Sequence, residues 1–251
     1  MSGEVLFEQG EHKVVVFQEL TPASMVQANQ FLIIHKGEAM LLDPGGHKVF
    51  SKLKSDIAKH ITPQSIKYIF LSHQDPDIVA ALNGWLLTTN AEAYISKLWI
   101  RFLPHFGLDS QMEGRVHPID DRGTVLNLGD CELKILPAHF LHSPGNFQVY
   151  DPCSKILFSG DLGASLGQPY NVVENFEEHV KYMEGFHRRY MASNKILKLW
   201  AKMVRQLDIE VIAPQHGAIF KGKDMVNRFI EWVENLECGV DVMDESIYQV
   251  P

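Results

Sequence analysis

Four short apolar segments of this chain each stop at a loop that opens with a histidine or an aspartate. The last apolar residues and the loops that follow them read LSHQDPD at residues 71–77, FLHSPGN at 140–146, LFSGD at 157–161 and APQHG at 213–217. Binding residues commonly sit on loops that a rigid sheet positions, so the pattern predicts strand ends that share one cavity. Singly, each motif has a simpler explanation, since a histidine before Pro-Gly suits a turn and an aspartate after Ser-Gly suits a helix cap. In this order and together, the four predict a metal site.

The first of these loops is the most informative. It places the imidazole of His73 and the carboxylates of Asp75 and Asp77 directly after the apolar run 68–71. Ligand-type side chains that alternate at the end of a buried strand point into one cavity, an arrangement that can hold a pair of metal ions. The later loops supply the missing ligands, which are His142, Asp161 and His216.

Length and charge exclude several classes of protein. At 251 residues the chain can form one large domain or two small ones, each with a proper core. The formal net charge of −8 argues against a nucleic-acid surface, which needs clustered Lys and Arg. No apolar run is long enough to span a membrane, and the N-terminal residues lack the basic start and apolar stretch of a secretion signal.

The cysteines indicate a reducing compartment. Cys131, Cys153 and Cys238 stand far apart without a CxxC pair, which predicts reduced thiols rather than a disulfide framework. We therefore expect a cytoplasmic protein with a single domain over residues 1–251, which binds neither nucleic acid nor a membrane.

Strands and helices alternate in two blocks. Strands are predicted at residues 14–17, 31–35, 39–43, 68–71, 132–136, 147–150, 155–158 and 211–213, with a tight turn at 36–38. Helices are predicted at 47–60, 78–89, 175–207 with an interruption near 192–194, and 224–236. This order predicts an α/β (α+β) fold in which two sheets pack together and helices flank them.

With these motifs the chain resembles the metallo-β-lactamase fold superfamily, whose pattern is HxHxDH, a His in an HxPGH-like loop, SGD and a late His-Gly. The resemblance covers nearly the whole chain, including LDPG at residues 42–45, and implies a four-layer αββα sandwich. Within the superfamily the chain is most similar to the flavodiiron oxygen reductases, whose signature is HxExDH. The segments that support this are ILFSGD at 156–161, RYMA at 189–192 and IAPQHG at 212–217.

Three departures from the family pattern bear on the metal. Asp75 stands where hydrolases have His and flavodiiron proteins have Glu, and an oxygen ligand favours iron or manganese over zinc without excluding zinc. The motif's final His is Ile78 here, which leaves the second metal open to a small molecule. Asn146 stands where hydrolase relatives often have a second His, which disfavours a hydrolytic site.

The resemblance implies a non-haem diiron centre with a bridging oxo or hydroxo group. One iron would be held by His73, Asp75 and His142, the second by Asp77 and His216, and Asp161 would bridge the two. Three carboxylates and three neutral imidazoles carry a charge of −3 against +4 for two ferrous ions, so the excess positive charge favours a bridging anion. Binding of O2 as a peroxo-diferric adduct would relieve that imbalance.

Residues around the motifs have weaker signals. Asp43 resembles the family's early Asp, which orients a ligand imidazole through its other nitrogen, although a turn carboxylate before Pro-Gly is an equally good interpretation. His139 competes with His142 as the ligand, and we prefer His142 because its Leu-His-x-Pro context matches the diiron relatives. We expect His47 to be exposed. The histidines that lack partner spacing are interpreted as surface or core residues: His12, His35, His60, His105, His117, His179 and His187.

The function implied by the resemblance depends on the electron supply. The chain ends at Pro251, soon after its last predicted helix, so we expect no flavodoxin domain and no FMN in it. Such a domain resembles the oxygen-binding diiron proteins of anaerobes, and implies an O2 sensor or carrier, with a link to chemotaxis signalling in some relatives. The alternatives are a dioxygen or nitric oxide reductase with an external electron donor, and a metal-dependent hydrolase of an ester, thioester or phosphodiester. The partner would be that donor or a signalling protein, and a homodimer is compatible with the resemblance.

Overall fold

Two β-sheets form the centre of the computed structural model, which describes residues 3–22 and 25–251. The first sheet has seven strands that follow one another in sequence order: β1 (Glu4–Gln9), β2 (His12–Phe17), β3 (Gln30–His35), β4 (Glu38–Leu42), β5 (Ile66–Phe70), β6 (Glu92–Ser96) and β7 (Val116–Ile119). Neighbouring strands are antiparallel as far as β4 and parallel from β4 to β7. The predicted tight turn joins β3 to β4.

The second sheet has six strands, which are β8 (Thr124–Leu128), β9 (Cys131–Pro137), β10 (Phe147–Asp151), β11 (Ile156–Gly160), β12 (Val211–Pro214) and β13 (Phe220–Lys221). In space their order is β13-β12-β11-β10-β9-β8. Strands β11 and β12 are parallel, and the other neighbours are antiparallel.

The helices are α1 (His47–Ile57), α2 (Pro76–Val79), α3 (Leu82–Thr88), α4 (Phe176–Tyr190), α5 (Asn194–Val204) and α6 (Lys223–Asn235). Short 3₁₀ segments occur at Pro63–Ser65, Ile100–Phe106, Ser110–Arg115 and Gly239–Val242. Within the described part of the chain, no helix combines the length and the apolar character needed to cross a bilayer.

Three hydrophobic cores separate four layers. The inner core packs one sheet on the other, for example Phe31 against Phe158 at 5.1 Å between ring centroids. One outer core packs α1 and α3 on the first sheet, with Trp85 fully buried, and the other packs α4, α5 and α6 on the second sheet around Phe229. Strands covered on both faces read as continuous apolar runs, which is why the sequence shows them clearly. The predicted αββα arrangement is confirmed.

The predicted helix over 78–89 is wrong as one element. It is divided into α2 and α3, because the N–H of Ala81 donates a hydrogen bond to the carbonyl oxygen of Gly45 at 3.3 Å instead of continuing the α2 ladder. Asp75 occupies the N-cap of α2. The interruption predicted near 192–194 separates α4 from α5.

Cys131 and Cys153 form a disulfide with Cα atoms 6.6 Å apart, so the prediction of three reduced thiols is wrong for this pair. Strand β10 pairs with β9 so that Tyr150 faces Lys134. The same antiparallel register, continued beyond the paired residues, sets Cys153 opposite Cys131. Sheet pairing therefore joins two cysteines that are 22 residues apart in sequence. Cys238 is a buried free thiol.

Candidate metal centre

The four predicted loops meet at one end of the sandwich. His73 follows β5 and Asp161 follows β11, while His142 lies in the loop after β9 and His216 follows β12. Parallel strands bring their carboxyl ends to the same edge, and β11 and β12 are parallel neighbours. Gly217 shapes the last loop, since its φ of +83° is left-handed and a Cβ there would lie 2.1 Å from Oγ of Ser165.

Asp161 lies at the centre of the three histidines. Its Oδ2 is 2.8 Å from Nε2 of His142 and 3.7 Å from Nε2 of His73, and its Oδ1 is 3.5 Å from Nε2 of His216. The two oxygens of one carboxylate thus face two different groups of side chains.

The other two aspartates divide between these groups. Oδ2 of Asp75 is 3.5 Å from Nε2 of His73 and 3.6 Å from Nε2 of His142. Oδ2 of Asp77 is 3.4 Å from Nε2 of His216. The structure therefore brings together all six side chains that the sequence singles out, in two groups that share Asp161.

Apart from the 2.8 Å pair of Asp161 Oδ2 and His142 Nε2, the donor atoms stand 3.4–3.7 Å apart, which is long for hydrogen bonds with one another. Oδ1 of Asp161 is buried and has no hydrogen-bond partner among the residues that the structure describes. Leaving a buried carboxylate oxygen unpaired is costly. Ligands about 2.1 Å from one ion stand about 3.0–3.4 Å apart in octahedral or tetrahedral geometry. The distances between these side chains come close to that spacing, so the residues fit a pair of ions on either side of Asp161.

When no metal is bound, the histidine and aspartate side chains of the site shift one another's pKa values. Burial opposes protonation of His73, but the carboxylates of Asp161 and Asp75 outweigh it and raise its pKa to about 9. Burial also opposes ionisation of Asp161, but the surrounding histidines, His73 foremost, lower its pKa below its ordinary value. Burial raises the pKa of Asp77, to which the charge of Asp161 adds. In the metal-free site the protonated imidazole of His73 therefore faces the ionised carboxylate of Asp161.

Hydrogen bonds to the outer nitrogens orient two of the imidazoles. Nδ1 of His216 donates to the carbonyl oxygen of Gln27 at 2.7 Å, and Nδ1 of His73 lies 3.0 Å from Oγ of Ser72. Such contacts leave Nε2 free to face a metal. The N–H of Ser72 donates to Oδ1 of Asp43 at 2.8 Å. Asp43 therefore positions Ser72, and the hydroxyl of Ser72 makes the imidazole contact that we expected of Asp43.

The remaining predicted residues lie behind or beside the cluster. Nδ2 of Asn146 donates to the carbonyl oxygen of Leu141 at 2.5 Å and braces the loop that carries His142. Ile78 is fully buried in the core between α1, α3 and the first sheet. His139 contacts the carbonyl oxygen of Asp121 at 2.7 Å, away from Asp161, so the structure brings His142 and not His139 to the cluster.

A cavity of about 630 Å³ opens onto the cluster. Its wall includes Phe186 and Tyr190 of α4, whose rings stack at 4.8 Å between centroids. The ring of Tyr190 lies 5.7 Å from that of His142. His47, which is exposed as predicted, also lines this cavity. In the sequence, the only local signal for these two aromatic side chains is their spacing of four residues, which places them on one helix face.

The structure and sequence are similar to those of known diiron proteins. A solved structure of the peroxy diiron species of the chemotaxis sensor ODP is 45% identical, with a TM-score of 0.86, and the match covers 95% of this chain and 97% of that one. The apo state of the chemotaxis sensor ODP from T. denticola is 43% identical, with a TM-score of 0.86 and 98% of both chains covered. A mutant flavo di-iron protein from Thermotoga maritima shares the fold at 21% identity, with a TM-score of 0.76 over 92% of this chain and 60% of that one.

Several of the curated relatives are longer proteins. The chain spans 53%, 36% and 56% of the length of three of them. The family model described as "ODP family beta lactamase" matches residues 26–217, a range that contains all six clustered side chains. The chain belongs to the ODP family of β-lactamase-fold proteins.

Proposed function

We propose that this protein is a non-haem diiron protein that binds dioxygen and acts as an oxygen sensor. The observation that carries the proposal is the position of Asp161, whose two carboxylate oxygens face two separate groups of metal-type side chains. His73, Asp75 and His142 would hold one iron, Asp77 and His216 the second, and Asp161 would bridge them.

The chemistry of the donors supports iron. Three carboxylates with three imidazoles suit a metal that accepts both hard oxygen and imidazole nitrogen ligands, and the group lacks the thiolates that favour zinc. Two ferrous ions would also supply the positive charge that the proton on His73 supplies in the metal-free protein. The solved structure at 45% identity is of a peroxy diiron species.

The chain's own residues leave room for a small ligand and limit water. The group of Asp77 and His216 has one protein donor fewer than the group of His73, Asp75 and His142, so its ion would keep an open position. The rings of Phe186 and Tyr190 lie beside His142 in edge-type contacts. When bound, iron would supply the electrons with which dioxygen is held. The side chains would position the ions, and the aromatic rings of Phe186 and Tyr190 would reduce the access of water.

A sensor also needs a partner. The two solved ODP structures are of a chemotaxis sensor, and we propose that this chain likewise passes the state of its site to a signalling protein. An external electron donor would instead make it a reductase, and the lifetime of the oxygenated form separates these two roles.

The test is metal analysis of anaerobically purified protein, followed by absorption spectra on exposure to O2. We expect two irons per chain and a visible band that persists for minutes. His142→Ala should lose the band, whereas His139→Ala, the same substitution three residues away, should keep it. The proposal would be contradicted by zinc in place of iron with no response to O2. Equal loss of the visible band in His142→Ala and His139→Ala would also contradict it. Rapid decay of the band with an added reductant would favour the reductase role.

A further inference from the structure

A second cluster of metal-type side chains lies at the opposite end of the sandwich. It consists of His12, which begins β2, Cys131, which begins β9, Asp151, which ends β10, and Cys153 just beyond it. Strand β9 runs from Cys131 at this end to the loop of His142 at the other. The cluster is therefore separate from the candidate metal centre and shares no residue with it.

The donor atoms of the four side chains converge. One ligand atom from each lies within 4.8 Å of all the others. Nε2 of His12 is 2.7 Å from Oδ2 of Asp151, and Sγ of Cys131 is 3.5 Å from Oδ1 of the same carboxylate. His12, Cys131 and Asp151 are buried, and Cys153 is exposed. The exposed thiol gives a metal ion access from solvent.

The imidazole of His12 is oriented as a metal ligand is. Its Nδ1 lies 3.2 Å from Nδ1 of His35, and Nε2 of His35 lies 2.5 Å from Oδ1 of Asp130. A ligand histidine typically engages a polar partner through its outer nitrogen, which fixes the ring and directs the other nitrogen at the metal. Here that other nitrogen is Nε2, the atom that faces Asp151.

We propose that His12, Cys131, Asp151 and Cys153 bind one zinc-type divalent ion when the two cysteines are reduced. Two thiolates, one imidazole and one carboxylate complete a tetrahedral site of the closed, structural kind. Two sulfurs at about 2.3 Å from one zinc ion stand about 3.8 Å apart, which cysteines with Cα atoms 6.6 Å apart can reach by side-chain rotation.

The disulfide and the metal exclude each other. In the disulfide form each sulfur is bonded to the other and cannot act as a thiolate. A phosphine reductant supplies the two electrons that break the S–S bond, two protons form the two thiols, and the phosphine takes up oxygen from water. Metal binding then releases the thiol protons. This inference does not depend on the proposed oxygen chemistry.

Cobalt(II) is the probe that separates this site from the candidate metal centre. Thiolate ligands give cobalt an intense near-ultraviolet charge-transfer band, whereas the carboxylates and imidazoles at the other end of the molecule cannot produce it. The protein would be reduced with a phosphine under anaerobic conditions, freed of reductant and titrated with cobalt. We expect the band to saturate when one cobalt ion per chain is bound by the two sulfurs. It should disappear when one equivalent of zinc replaces cobalt, and it should be absent from the disulfide form.

Variants test the assignment. Cys153→Ser, at an exposed position, should abolish the band, and Cys238→Ser should leave it unchanged. Far-ultraviolet circular dichroism checks that both variants fold, and the zinc displacement in the unmodified chain stands independently of them. Absence of the band in the reduced protein, its survival in Cys153→Ser or its loss in Cys238→Ser would overturn the proposal.

Discussion

Oδ1 of Asp161 and Nε2 of His216 stand 3.5 Å apart, although both side chains are almost fully buried. The carboxylate oxygen makes no hydrogen bond to any residue that the structure describes. An ion between the two atoms would give both a partner, and the same carboxylate faces His142 through its other oxygen. With this arrangement one side chain can serve two metal positions.

Replacing Asp161 with Asn should remove iron from the site. The amide keeps the shape of the side chain but loses the negative charge and offers one oxygen in place of two, so neither ion is bridged. We expect fewer than one iron per chain after anaerobic loading, measured by elemental analysis. Asp121→Asn is the matched control, since its exposed carboxylate pairs with Lys97 at the surface. Retention of two irons by Asp161→Asn would show that the aspartate is not the bridge.

Ser72→Ala should weaken metal binding while leaving every direct ligand in place. Its hydroxyl contacts Nδ1 of His73, and loss of such an orienting contact typically lowers metal affinity by about 10–100-fold. The backbone N–H that bonds Asp43 is retained, so the loop should keep its shape. The measurement is competition for ferrous iron with a chelator of known affinity. An unchanged affinity would mean that the imidazole is held by packing alone.

Metal loading should release protons and strengthen as pH rises. In the metal-free protein the pKa of His73 is raised to about 9, because Asp161 and Asp75 outweigh the effect of burial. Below that pH a metal must displace the proton, so we expect apparent iron affinity to rise by up to about tenfold per pH unit between pH 7 and 9. Anaerobic titrations in weakly buffered solution measure both affinity and released protons. An affinity that does not change over this range would contradict the raised pKa.

The stability of the metal-free protein should depend on pH through His187. Burial lowers the pKa of this residue to about 4, and its ring bonds the carbonyl oxygen of Met183 and the N–H of Gly163. Between pH 6.5 and 4 the unfolded chain binds the proton and the folded one does not, so stability is full above pH 6.5 and falls as pH drops. At pH 5 the loss is about 2 kcal/mol.

His187→Gln isolates this effect from the other groups that titrate in acid. The amide does not ionise, so the change in unfolding free energy between pH 7.5 and pH 5 should be smaller in the variant than in the unmodified chain. Denaturant unfolding at the two pH values measures it. An equal pH dependence in both proteins would show that the histidine is protonated in the folded state as well.

Tyr190→Ala should shorten the lifetime of the oxygenated form without changing iron content. The substitution removes the ring that lies beside His142 and stacks on Phe186, and so opens the cavity to water. We expect decay of the visible band to accelerate severalfold in stopped-flow spectra. Tyr248→Ala, at an exposed tyrosine that does not line the cavity, is the control. Equal lifetimes in both variants would show that the ring of Tyr190 does not protect the oxygenated form.

The sequence alone determined the central strands, the hairpin of β3 and β4, and the ligand-type residues in the loops after the strands. Strands covered on both faces leave continuous apolar runs, and several of these runs end just before a ligand-type residue that can be read directly. Edge strands are less visible. Strand β7 contains Pro118, which a strand tolerates at the edge of a sheet, and β13 has two residues. No local period marks either one.

Tertiary structure decided the contacts between residues that are distant in sequence. The register of β9 against β10 sets Cys153 opposite Cys131. The packing of the two sheets adds His12, which the sequence predicted to be a surface or core residue without a site. Likewise, only the fold places Ser72 between Asp43 and His73. A sequence shows which side chains follow a strand and on which face they lie, because those properties repeat along the backbone. It does not show which strand ends meet, because that depends on pairing and packing across the whole chain.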